Sequence, residues 1–105
     1  MLKQIAVTGF VCLAFTNALA QEFTVDQENK RFSVSTLTVK VGDQVRFLNN
    51  DPFFHNIFSL SDIKTFDLGS YPKGQSRTVT FSNPGTVEVE CAIHPDMKLK
   101  VEVVK

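Results

Sequence analysis

Histidine and cysteine are scarce in this chain of 105 residues, with two of each. Cys12 falls in an apolar N-terminal run, so Cys91 is the only cysteine of the expected mature chain. That chain cannot form an intramolecular disulfide. A lone thiol in an oxidising compartment is a liability unless it is buried or metal-bound. Charge of one sign is also missing, since 11 basic side chains balance 11 acidic ones. No basic stripe suggests nucleic acid, and no acidic tail suggests a charged partner. There are no internal repeats, no low-complexity segments and, after residue 20, no segment with helical periodicity. The longest apolar stretch, Ile5 to Phe15, is too short for a convincing membrane span.

That stretch has a different reading. Lys3 supplies a positive start, the apolar run follows, and Ala18-Leu19-Ala20 is a small-residue cleavage site before Gln21. Residues 1–20 are expected to be a cleavable signal peptide and 21–105 one small domain. Removing Lys3 leaves a net charge of about −1. A periplasmic location, with no membrane span once the signal is removed, is the expectation.

The mature sequence reads as short strands between turns. Phe23 to Asp26 alternates weakly. Phe32 to Val41 alternates well, with Phe32, Val34, Leu37, Val39 and Val41 apolar and a slip near Ser35-Thr36 that reads as a bulge. Val45 to Leu48 ends at Asn49-Asn50-Asp51-Pro52, a breaker. Phe54 to Leu60 precedes a polar excursion from Ser61 to Gln75. Thr78 to Phe81 and Asn83-Pro84-Gly85 form a strand and a turn. Val87, Val89 and Cys91 then share one face against Glu88 and Glu90. Leu99, Val101 and Val103 repeat the pattern. Seven or eight such strands predict an all-β, Greek-key β-sandwich. Ten phenylalanines, two of them in the signal, help a small core bury enough area.

The chemistry concentrates at one place. Cys91-Ala92-Ile93-His94-Pro95-Asp96-Met97 offers a thiolate, an imidazole and a thioether within seven residues, and His55 adds a second imidazole. A buried free cysteine is often only a small hydrophobe, and a lone histidine is more often structural than a ligand. Here Pro95-Asp96 interrupts the strand, so the loop can fold back over one point. Two imidazoles and a thiolate suit a trigonal copper site with a long, weak thioether bond.

On His55-Asn56, Asn83-Pro84-Gly85-Thr86 and the Cys-x₂-His-Pro-x-Met string, the chain resembles the cupredoxins, the type 1 blue copper proteins. The likeness covers Gln21 to Lys105, and the short ligand loop is similar to that of the amicyanin branch. The resemblance implies one copper ion with His55, Cys91 and His94 as equatorial ligands and Met97 as the axial one. It also implies that the backbone N–H of Asn56 bonds the Cys91 sulfur and that its side chain pins the ligand loop. Three departures stand out. Ile93 replaces a common proline and keeps an N–H that is expected to add a second bond to the sulfur. Asp96 replaces an apolar residue and is a minor alternative metal ligand. The N-terminal strand looks abbreviated.

The resemblance further implies that the edge of His94 emerges through an apolar patch. Pro52, Phe53, Phe54 and Pro95 are the expected patch, for transient docking of a redox donor and acceptor. At least one of the two phenylalanines is expected to be core, and Lys64, Lys73 and Arg77 are candidates for steering charge. The function expected is single-electron transfer by a monomer that is not an enzyme, since two histidines cannot build the extra clusters of a multicopper enzyme. The alternative is a periplasmic copper carrier or buffer. Its mark would be a Met- or His-rich tract, and beyond the start codon the chain has only Met97.

Overall fold

The computed structural model describes residues 19–105. Most of the expected signal segment, residues 1–18, lies outside the described residues. The described residues form nine strands: β1 Glu22–Glu28, β2 Arg31–Phe32, β3 Thr36–Lys40, β4 Gln44–Asn49, β5 His55–Ser59, β6 Phe66–Tyr71, β7 Ser76–Thr80, β8 Gly85–Cys91 and β9 Lys98–Val104. They make two sheets, one in the order β3-β9-β8-β5-β6 and the other in the order β2-β1-β4-β7. No helix occurs among the described residues.

Alternation in the sequence becomes burial in the sheets. In β8 and β9, Val87 pairs with Val101 and Val89 with Leu99. All four face the core, and Thr86, Glu88, Lys98 and Lys100 face solvent. Period-two strands packed face to face need this pattern, because each has one dry and one wet side. Phenylalanines fill the middle. Phe32 meets Phe47 edge-on at 6.3 Å, and Phe66 meets Phe47 and Phe81 at 6.4 Å each. Such offset and edge contacts add to the area that the rings bury.

One expectation needs correction. The slip near Ser35-Thr36 is not a bulge. The chain leaves the four-stranded sheet after β2 and enters the other sheet as β3, which runs parallel to β9. Crossing between layers interrupts the alternation and leaves Val34 exposed. The register irregularity lies instead between Asn56 and Phe58, against β6. β1 has seven residues, and all but one of them pair in parallel with β4.

The topology decides what meets at each end of the sandwich. β8 ends, β9 begins, β4 ends and β5 begins at the same end. The β1–β2 turn reaches that end too, because β1 runs parallel to β4.

Candidate metal centre

His55 is the first residue of β5, and Cys91 is the last residue of β8. The two strands are antiparallel neighbours, with Cys91 opposite Ile57. Both side chains are buried, His55 at 0% and Cys91 at 2% exposure. The loop after Cys91 folds back, as its sequence requires: the Met97 N–H donates to the His94 carbonyl at 2.9 Å, and the Ala92 N–H donates to the Asn56 carbonyl at 2.9 Å. His94 is thereby carried over the strand ends.

Three donor atoms converge there. Cys91 Sγ lies 3.5 Å from His55 Nδ1 and 3.8 Å from His94 Nδ1, and the two nitrogens are 3.2 Å apart. Bonds of about 2.0–2.3 Å at angles of about 105–120° would put donors about 3.2–4.0 Å apart, so the triangle fits one first-row metal ion. A thiolate with two imidazoles is soft enough to favour copper. Among the described residues, this is the only cluster of histidine, cysteine and carboxylate donors close enough to hold an ion. Met97 is buried at the exit of the same loop. Asp96 is exposed and stands outside the cluster.

Phe53 walls the site. Its ring lies 5.4 Å from that of His55 and 5.2 Å from that of His94, and the Lys30 ammonium sits 5.8 Å from its centre. Burial, then the nearby His55 and Lys30, push the His94 imidazole below its usual pKa, against the opposing charge of Asp51. That direction favours the neutral imidazole, the form that a metal requires.

Residues 19–104 match the family described as copper binding proteins, plastocyanin/azurin family. The chain belongs to that family. It is 32% identical over 82 residues to amicyanin of Paracoccus denitrificans, covering 75% of this chain and 63% of that one. It is 29% identical over 87 residues to the methylamine utilization protein MauL of Methylorubrum extorquens, covering 82% and 76%. Among solved structures, an amicyanin variant holding Cu(I) superposes with a TM-score of 0.73 at 28% identity, over 78% of this chain and 81% of that one. A copper-containing nitrite reductase from Thermus scotoductus scores 0.74 at 26% identity, but the chain spans only 22% of it. The cofactor of this cupredoxin is copper, and membership in the family implies electron transfer by copper.

Several expectations about the surroundings of the site are corrected. The Asn56 side chain does not pin the ligand loop. It lies between His55 and Ile57 on the outer face of β5, and its Nδ2 donates to Asp67 Oδ1 at 2.9 Å. Asn56 reaches the loop through its carbonyl instead. Among the described residues no backbone N–H reaches the Cys91 sulfur, from Asn56 or from Ile93, and its partners are the two imidazoles. Neither Phe53 nor Phe54 is core: Phe53 is half-buried against the histidines, and Phe54 is 53% exposed.

Sequence reasoning missed the residues that build the floor of the site. Asn49 is fully buried, and its Nδ2 donates to the Phe53 carbonyl at 2.8 Å and the Tyr71 carbonyl at 2.9 Å. Its Oδ1 accepts from the Asp51 N–H at 2.7 Å. Asp51, also buried, accepts from His55 Nε2 at 2.8 Å. The string Asn49-Asn50-Asp51-Pro52 reads as a turn, and short polar side chains do cap turns. Their proximity four to six residues before His55 was the only available signal.

Proposed function

We propose that the chain is an exported, monomeric electron carrier in which His55, Cys91 and His94 hold one copper ion, with Met97 as the weak axial donor. Copper supplies a one-electron Cu(II)/Cu(I) change when bound. The protein contributes a rigid, mostly dry pocket. His55 and Cys91 are set in paired strands, and such anchoring keeps donor positions similar in both oxidation states. The observation that carries this reading is the convergence of one sulfur and two nitrogens, with His94 only half-buried. His94 is the route for the electron. Pro52, Phe54, Ile93 and Pro95 are exposed on the two loops that carry the ligands, and they suit a small, transient docking surface for a redox donor and acceptor. No enzymatic step is assigned.

Residues 1–20 are assigned as the signal and the periplasm as the location. No helix among the described residues is long and apolar enough to cross a membrane. The test is expression of the full chain in a Gram-negative host. Recovery from the periplasm as a chain starting at Gln21 supports export. Addition of Cu(II) to the reduced protein is expected to produce an intense thiolate-to-copper band and narrow EPR hyperfine splitting, both bleached by ascorbate. A weak, tetragonal copper signal would end the electron-carrier reading and leave copper delivery or buffering.

A further inference from the structure

Asp51 ties together two parts of the chain that are distant in sequence. Its Oδ1 accepts from the Asn29 N–H at 2.7 Å. Its Oδ2 accepts from the Lys30 N–H at 3.0 Å and from His55 Nε2 at 2.8 Å. Asn29 and Lys30 form the turn between β1 and β2, and both have positive φ, 58° and 59°. Consecutive left-handed residues make the mirror-image hairpin turn usually given to Asn-Gly. Lysine in the second position carries a Cβ penalty there, and such a conformation persists where its surroundings over-determine it. Two hydrogen bonds to one buried carboxylate, together with the Lys30 ammonium against Phe53, supply that constraint.

The same carboxylate acts on the metal ligand. An ionised carboxylate only accepts hydrogen bonds. His55 must therefore carry its proton on Nε2, which leaves the Nδ1 lone pair aimed at Cys91 and His94. Three N–H groups, from Asn29, Lys30 and His55, converge on the two Asp51 oxygens, an arrangement that suits the ionised carboxylate. A charged acceptor makes the imidazole a more basic ligand. Cu(II) gains more from that basicity than Cu(I), because it carries the larger charge.

We propose that Asp51 is the positioning residue of the copper centre: it sets the tautomer of His55, couples the β1–β2 turn to the site, and as a fixed negative charge favours Cu(II). The redox part of this rests on the copper reading above, and the tautomer part does not.

The experiment compares the copper-loaded protein with D51N and D43N. Asp43 is a matched control, because it is a buried carboxylate that accepts from the Gln21 and Lys40 N–H groups at 2.9 and 2.8 Å and touches no histidine. D51N is expected to weaken Cu(II) binding about 10–100-fold, to weaken Cu(I) binding less, and so to raise the reduction potential. It is also expected to speed amide exchange at Asn29 and Lys30. D43N is expected to leave the potential unchanged. An unchanged potential in D51N, or an equal shift in D43N, would overturn the redox role. Nitrogen-detected NMR of the metal-free wild type supplies the second readout. A slowly exchanging Nε2 proton on His55 supports the positioning role, and an Nδ1–H tautomer overturns it. That readout holds if D51N does not fold. It also holds if the wild type forms no type 1 centre, an outcome that would remove the copper reading and leave the tautomer assignment standing.

Discussion

At one end of the sandwich a buried aspartate, Asp51, braces a turn and holds a metal ligand. At the other end a buried aspartate, Asp43, braces the β3–β4 turn and holds only backbone. Asp43 accepts from Gln21 and Lys40, and its own N–H and carbonyl bond Lys40 and Phe81. The chemistry of the two is nearly the same: a short carboxylate closes a turn by taking N–H groups that the sheets leave over. The difference is one imidazole. Where the acceptor meets only backbone, its contribution is stability. Where it meets His55, the same hydrogen bond also decides which nitrogen faces the metal.

The largest test of that contrast is Cys91→Ser. It is expected to abolish the thiolate-to-copper absorption while the amides braced by Asp43 exchange as in the wild type. Visible spectroscopy and hydrogen exchange on one sample check both halves. Next is Asp43→Asn, expected to cost about 1–3 kcal/mol of unfolding free energy, read by denaturant titration, with the copper spectrum unchanged. Its pH dependence has a definite sign. The Gln21 and Lys40 N–H groups hold the Asp43 carboxyl below its ordinary value of 3.8. Its stabilisation is therefore complete above 3.8 and is lost as pH falls through the lower folded value. The variant should lose that part of the acid slope.

Gly85→Ala probes the turn that leads into the ligand strand from the far end. Gly85 has φ of 137°, and an added Cβ would lie 2.7 Å from the Ile63 side chain. A loss of about 1–3 kcal/mol in thermal unfolding is expected, with the copper absorption maximum unmoved because the strain lies at the opposite end of β8. The smallest effect is expected from Lys30→Ala. It removes the ammonium over Phe53 but keeps the N–H to Asp51, and it should cost about 0.5–1 kcal/mol. A loss as large as that of Asp43→Asn would show that the side chain of Lys30, rather than its backbone, holds the turn at the copper end.

The strands were largely legible because burial repeats every second residue. Val87, Val89 and Cys91 announce their inward face by alternation alone. The donor set was legible because Cys91, His94 and Met97 are close in sequence and the chain has so few other soft ligands. The sheet switch at Ser33–Ser35 was not legible, because a bulge and a layer crossing both appear as one break in the alternation. Asn56 was misjudged for a related reason. Its neighbour identified the motif, but the outward pleat of β5 aimed its side chain at Asp67. Phe53 was misread because aromatic residues serve equally as core and as wall, and only the folded loop shows which.

By itself, the sequence determined the sandwich and the soft donor set, since both rest on local periodicity and on the chemistry of residue types. Tertiary structure decided how the donors are held. Asp51 links the Asn29–Lys30 turn to His55 only after β1 lies parallel to β4. A hydrogen bond between Asn29 and Asp51 has no trace in periodicity, because it depends on where two loops end in space.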